Sequence, residues 1–182
     1  MRILTTILLL TVSLGLAHAQ TVATPPSTAK KEDIKVPFNF SWGETPTRLE
    51  DSLKRVKATV VERRKVNNRE VLTVEGIPQR LLVKANFYFE NDSLNEIELQ
   101  YGDPSWDSTQ YGNFFDQTRR NIENKYGIGR VIARQKTREG EVLQTLIGYQ
   151  WTQPITNLAL YYYTAERGAE SFRLLSLHYR GY

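Results

Sequence analysis

The fold is decided by residues 60–74, which read VVERRKVNNREVLTV. Asn67 and Asn68 form a turn dipeptide, because asparagine tolerates a positive φ better than most residues do. The β-branched residues on either side favour extended backbone. The segment therefore predicts a β-hairpin with strands at residues 58–66 and 70–77.

A second segment, residues 131–145, resembles this hairpin and reads VIARQKTREGEVLQT. Aligned without gaps, the two segments are identical at six of fifteen positions. The pattern Ser-Trp-x-x-Thr stands before both hairpins, at Ser41 and at Ser105. This internal repeat predicts two copies of one structural unit. The alternative is chance similarity between two β-rich hairpins.

A helix is predicted before each hairpin. In the first, Thr45 suits the N-cap and Pro46 the first helical position. Residues 47–50 also fit a capping box, which would start the helix two residues later. The second helix has apolar residues at helical spacing and a glycine at the expected C-terminal cap. These residues are Tyr111, Phe115, Thr118, Ile122, Tyr126 and the capping Gly127.

Two more strands follow each hairpin, and their residues alternate between apolar and polar. The predicted inward residues of the first pair are Leu81, Val83, Ala85, Phe87, Phe89, Ile97, Leu99 and Tyr101. In the second half, strands are predicted at residues 130–137, 141–152, 157–164 and 171–180. One apolar and one polar face indicate an antiparallel sheet with helices on a single side.

The predicted fold class is therefore α+β, with two tandem units of one helix and four strands at residues 36–103 and 104–182. Such tandem units resemble the β-lactamase inhibitor protein fold. A single unit resembles the BamE (SmpA/OmlA) family of outer-membrane assembly components, whose capped-helix start is similar to WGETPTRL at residues 42–49. The resemblance implies this fold, over nearly the whole ordered chain, and a role in binding another protein.

The first 19 residues have the three parts of a secretory signal: Arg2, an apolar run, and a small-x-small site that ends at Ala19. The run of about 14 residues is shorter than the roughly 20 that span a bilayer. We therefore expect a secreted or periplasmic protein, cleaved after Ala19, with no transmembrane segment in the remainder. Residues 20–35 are polar, contain two prolines and lack periodicity, which predicts a flexible linker.

The composition excludes several classes of site. There is no cysteine, and His178 is the only histidine outside the predicted signal, so a Cys/His zinc site is impossible. The net charge of +4 falls to +3 without Arg2, which is too small to indicate nucleic acid. We predict no metal and no cofactor.

His178 is also the one candidate for acid–base catalysis. Ser176 is in phase with it, and Glu98 could complete a Ser-His-carboxylate group across the sheet. Neither a nucleophile elbow nor an oxyanion site is recognisable around them, so we predict a surface histidine and no enzyme activity, with a hydrolase as a less favoured alternative. Glu96 and Glu98 could bind a metal together, but we expect them on the solvated side of the strand.

Basic residues are concentrated on the two hairpins. They could contact anionic lipid or an acidic protein, but protection of edge strands against pairing is the favoured interpretation. They are Arg63, Arg64, Lys65, Arg69, Arg134, Lys136 and Arg138.

The polar face of the sheet is the predicted binding surface. Leu158 and Leu160 set the apolar phase of their strand, which sends Tyr161 and Tyr163 to this face, although a slip of one residue would exchange the faces. The predicted binding-face residues are Tyr88, Gln100, Gln144, Gln150, Tyr161, Tyr163 and His178.

Tyrosine offers a large contact area at a low entropic cost. The predicted function is accordingly an exported soluble protein-binding module, an inhibitor or an envelope assembly factor, with a protein partner. Binding of a small ligand or glycan by the same aromatics is the alternative. A further interpretation is that tyrosines occur here only because they favour strands.

Overall fold

The computed structural model describes residues 32–182. The predicted signal and residues 20–31 of the predicted linker lie outside this range. Within it, the chain forms a short 3-10 turn at Pro37–Asn39, two helices and eight strands. In chain order the helices and strands are α1 Pro46–Arg55, β1 Thr59–Val66, β2 Arg69–Glu75, β3 Leu82–Glu90, β4 Ser93–Tyr101, α2 Ser108–Tyr126, β5 Arg130–Glu139, β6 Val142–Thr152, β7 Thr156–Arg167 and β8 Glu170–Gly181.

All eight strands belong to one antiparallel sheet, in the order β1-β2-β3-β4-β8-β7-β6-β5. The predicted α+β class is confirmed. Strands β1–β4 form one half of this sheet and β5–β8 the other, and the halves meet where β4 pairs with β8. Neither helix of residues 32–182 is long and apolar enough to cross a membrane.

Both helices are fixed by their terminal residues. Thr45 caps α1 as predicted, because its side chain accepts a hydrogen bond from the backbone N–H of Arg48 and Pro46 follows it. Asp107 caps α2 in a reciprocal capping box with Gln110. Gly127 ends α2 with a φ of 87°, which a residue with a side chain rarely adopts.

The core lies between the helices and one face of the sheet. Leu49 of α1 and Phe115 of α2 are both buried in it. The buried strand residues that pack with them are Leu72, Val74, Ala85, Phe87, Ile97, Leu99, Leu158, Leu160, Leu175 and Leu177. These residues share one face across all the central strands. We call the other face, which neither helix of residues 32–182 covers, the open face.

The predicted phase of β3 is wrong at its beginning. Val83, predicted to point inward, is 51% exposed. A bulge causes this, because Leu82 pairs with Tyr101 while Lys84 already pairs with Gln100, so that Val83 has no partner on β4. The regular inward phase starts only at Ala85.

The two hairpins do not match without a gap, contrary to the sequence alignment. Arg63 pairs with Leu72, nine residues on, whereas Arg134 pairs with Ile147, thirteen residues on. The second hairpin is therefore four residues longer between equivalent pairs, and it turns at Gly140. The identities between β2 and β6 consequently do not fall at equivalent positions in the sheet.

The basic hairpin residues lie at or next to the two sheet edges, since β1 and β5 are the outermost strands. On the first hairpin, Arg63 contacts the carboxylates of Glu50 and Glu70, and Arg64 contacts that of Glu62. This position favours the interpretation as edge protection.

The N-terminal segment contacts the core earlier than predicted. The backbone N–H of Glu32 donates to the carbonyl oxygen of Lys125, at 3.2 Å. The N–H of Ile34 donates to Oε1 of Gln153, at 2.6 Å, and the Ile34 side chain is buried. Residues 32–35 of the predicted linker are thus held in place, because Ile34 removes apolar surface from water there.

Candidate functional site

All seven predicted binding-face residues lie on the open face. The phase of β7 is fixed by Tyr162, whose ring packs on Phe115 of α2 with centroids 5.6 Å apart. Tyr161 and Tyr163 therefore point away from the helices. The other five residues lie on the same face, because their strands pair in register with these tyrosines or with neighbouring strands.

Glu98 is at the centre of the open face and is only 7% exposed. Its Oε2 accepts hydrogen bonds from Nδ2 of Asn86, at 2.9 Å, and from the hydroxyl of Tyr88, at 2.8 Å. Its Oε1 accepts one from Nε2 of Gln100, at 2.7 Å. The expectation of a solvated carboxylate is therefore wrong, because polar side chains of β3 and β4 enclose this one.

Glu96 has a second set of partners on the same face. Arg69 Nη1 donates to its Oε2 at 2.7 Å, and the Arg69 guanidinium lies 4.8 Å from the centre of the Tyr88 ring. Nδ1 of His178 lies 3.4 Å from Oε1 of Glu96. Arg69 is thus part of the site, which the sequence analysis did not predict.

His178 connects the two carboxylates. Its Nε2 lies 3.1 Å from the Ser176 hydroxyl oxygen and 3.9 Å from Oε1 of Glu98. The Tyr161 ring meets the imidazole edge to face, with centroids 5.2 Å apart. The side chain is 26% exposed, so the predicted surface histidine is in fact half-buried in a polar network.

The charges of the network follow from these contacts. Burial alone would raise the pKa of Glu96, but the hydrogen bonds and charges of His178 and Arg69 lower it to about 2. Burial opposes ionisation of Glu98 too, yet the His178 charge and three hydrogen bonds lower its pKa. Burial and the adjacent Glu98 raise the pKa of Tyr88. Both carboxylates are therefore ionised at neutral pH, and Tyr88 remains a hydrogen-bond donor.

The Ser176–His178–Glu96 arrangement has the order of a catalytic triad, with hydroxyl and carboxylate on opposite ring nitrogens. Ser176 is only 2% exposed, however, so its hydroxyl has no room for a substrate. Within residues 32–182, no group of three or more His, Asp or Glu side chains could hold a metal ion. The network is suited to fixing the shape and charge of the face.

Aromatic side chains border this network on the β6 side. The Tyr161 ring lies over Gly148, where an added Cβ would be 2.8 Å from the ring. The Tyr163 hydroxyl donates to Oε1 of Gln144, at 3.2 Å, and its ring packs against Phe172, with centroids 6.1 Å apart. Phe172 is 55% exposed, which makes it the most accessible aromatic residue of this cluster.

The structure thus gathers four predicted residues, Tyr88, Gln100, Tyr161 and His178, around Glu98. Gln144 and Tyr163 form a separate pair, and Gln150 contacts Arg130 at the β5 edge, at 2.6 Å. Asn86, Arg69 and Phe172 were not among the binding-face residues predicted from the sequence. The alternation of β3 does predict that Asn86 points to the open face. Its hydrogen bond to Glu98 could not be predicted, because it depends on which strands pair.

No protein-family model, no curated protein and no solved structure matches the chain.

Proposed function

We propose that the protein is an exported binding module that recognises another protein through its open face. The observation that carries the proposal is an aromatic cluster on a sheet face without helices, next to a buried, fully hydrogen-bonded polar network. Side chains already fixed in the free protein lose little entropy on binding. The face is therefore suited to specific recognition of a partner.

The finer architecture that we propose is a tandem pair of helix-plus-four-strand units. In support, β1 has a register shift between Val60 and Glu62, and β5 has one between Val131 and Ala133. Both pairs are separated by the offset of 71 residues that the first strands share in sequence. Because bulges are specific local features, their recurrence favours a common origin for the two units.

The pairing of β4 with β8 also supports this proposal. Leu99 pairs directly with Leu177, and these leucines begin the similar triplets Leu-Gln-Tyr and Leu-His-Tyr. A pseudo-twofold axis between them would relate the two units. The proposal therefore includes a resemblance to the β-lactamase inhibitor protein and BamE-like folds. It also includes a protein-binding role and export.

A glycan or another small ligand is the second candidate. Phe172 and Tyr163 present aromatic surface beside the Gln144 amide. Aromatic surface next to a few polar groups is typical of small-molecule sites. Both candidates use the same side chains, so one experiment can separate them.

The test uses the purified protein as bait for envelope and culture-fluid proteins of its own organism. The binding variant is Tyr163→Ala/Phe172→Ala. The matched control is Ile155→Ala, because Ile155 is 71% exposed and lies in the loop before β7, beside Ile34 and Phe40 and away from the predicted binding-face residues. We expect a partner that wild type and control retain and the binding variant loses. Recovery of no protein, together with saturable binding of a purified glycan that the variant loses, would instead establish the second candidate.

A further inference from the structure

A cleft of about 630 Å³ lies beside α1, on the side of the sheet opposite the open face. This volume is within the range of about 300–1,000 Å³ for small-molecule sites. One wall is the exposed side of α1, and the other is formed by residues 38–40 and 77–79. The apolar part of the lining consists of Phe38, Phe40, Leu53, Val56, Ile77 and Pro78.

The walls of the cleft are fixed in the free protein. Phe38 and Asn39 have φ values of 59° and 60°, a left-handed backbone that phenylalanine rarely adopts. The Phe38 ring packs on Phe40 with centroids 6.2 Å apart, and Phe40 packs edge to face on the buried Phe87 at 5.7 Å. The core therefore holds an unfavourable backbone conformation that places aromatic rings along the cleft.

The charges of the lining are on the α1 side. Arg48 and Arg55 both line the cleft, and seven residues of helix place them roughly 10 Å apart along its axis. Neither is in an ion pair among residues 32–182. The Arg55 guanidinium donates to the hydroxyl of Ser52, at 2.8 Å. Among the described residues that line the cleft, Glu44 is the single acidic one, so this lining has a net positive charge.

We propose that this cleft binds a straight-chain carboxylic acid. Its alkyl chain would cover the rings of Phe38 and Phe40 and the side chain of Val56, which is 46% exposed in the free protein. Its carboxylate would accept hydrogen bonds from the arginines of α1, because charge-assisted bonds to guanidinium are the strong ones. The site lies on the other side of the sheet from the proposed protein-binding face and does not depend on it.

The experiment is calorimetric titration of the purified protein with octanoate, decanoate and dodecanoate, below micellar concentrations. Decanol and decylammonium test the head group. We expect saturable binding of one carboxylate, with an affinity that rises about fourfold per added methylene. Decanol and decylammonium should bind at least about tenfold more weakly than decanoate, because each lacks the charge that the arginines recognise.

Two variants test the two parts of the site. Arg48→Gln/Arg55→Gln removes both positive charges but keeps polar side chains, and it should remove the preference for decanoate over decanol. Val56→Asp places a charge against the alkyl chain and should weaken both ligands by more than about tenfold. Val56 is half-exposed, so this variant should still fold. Arg120→Gln, an exposed arginine of α2, is the control that should change nothing.

Absence of saturable binding would overturn the proposal. So would decanoate and decanol of equal affinity, or binding that neither variant changes, since both results would indicate non-specific association of amphiphiles. Weakening by Val56→Asp without any effect of the arginine variant would overturn the assignment of a carboxylate ligand.

Discussion

Glu98 and His178 are direct partners on β4 and β8, the two strands at the centre of the sheet. Nε2 of His178 lies 3.9 Å from one carboxylate, that of Glu98, and Nδ1 lies 3.4 Å from another, that of Glu96. One imidazole thus lies between two largely buried acidic groups. The stability of the open face consequently depends on the ionisation of the two carboxylates.

Acid should destabilise the protein through Glu96. The pKa of this carboxyl group is about 2 in the folded protein, against an ordinary value of 4.5. Because the folded value is the lower one, the stabilisation is fully present above pH 4.5 and is lost as the pH falls towards 2. A shift of this size corresponds to at most about 3 kcal/mol. Urea unfolding of wild type and Glu96→Gln between pH 7 and pH 2 measures it.

The difference in unfolding free energy between wild type and Glu96→Gln should be present above pH 4.5 and should nearly vanish near pH 2. A difference that stays constant across this range would contradict the role of the ionised carboxylate.

Glu98→Gln should destabilise the protein by about 2 kcal/mol. The side chain of Glu98 accepts three hydrogen bonds from neutral donors. Glutamine has one acceptor oxygen, so its amide group would face at least one of these donors. Glu141→Gln, an exposed change in the β5–β6 turn, is the control and should cost less than about 0.5 kcal/mol. Equal effects in chemical denaturation would show that the network contributes nothing to stability.

The alternation of apolar and polar residues was sufficient to predict which residues of β4 and β7 point to each face. Successive side chains of a strand point to opposite faces of the sheet. The same alternation was insufficient to predict the burial of Glu98, because this burial depends on the pairing of β4 with both β3 and β8. No local pattern contains that information. The bulge at Val83 and the longer second hairpin escaped prediction for the same reason, since both are properties of pairing between strands.

Ile34→Ala should cost about 2 kcal/mol or more, although the sequence places Ile34 in a polar segment expected to be flexible. Its side chain is only 6% exposed, and removing buried methyl and methylene groups leaves a cavity. Ile155→Ala is the matched control, because Ile155 is 71% exposed in the loop before β7. Thermal unfolding of both variants measures the difference. Identical melting temperatures would mean that the segment around Ile34 does not contribute to the core.

Gly148→Ala should disturb the open face and lower stability by about 1–2 kcal/mol. An added Cβ would lie 2.8 Å from the Tyr161 ring and 3.1 Å from Ile132, so the ring must move off its place beside His178. Gly112→Ala is the opposite control: Gly112 is inside α2 with nothing within 4 Å of an added Cβ, and alanine there should stabilise the helix by up to about 1 kcal/mol. Chemical denaturation gives both energies, and the His178 ring-proton shifts in NMR report the aromatic contact. Unchanged His178 shifts in Gly148→Ala would mean that Tyr161 does not depend on the glycine for its position, and the order of the aromatic cluster would then need another cause.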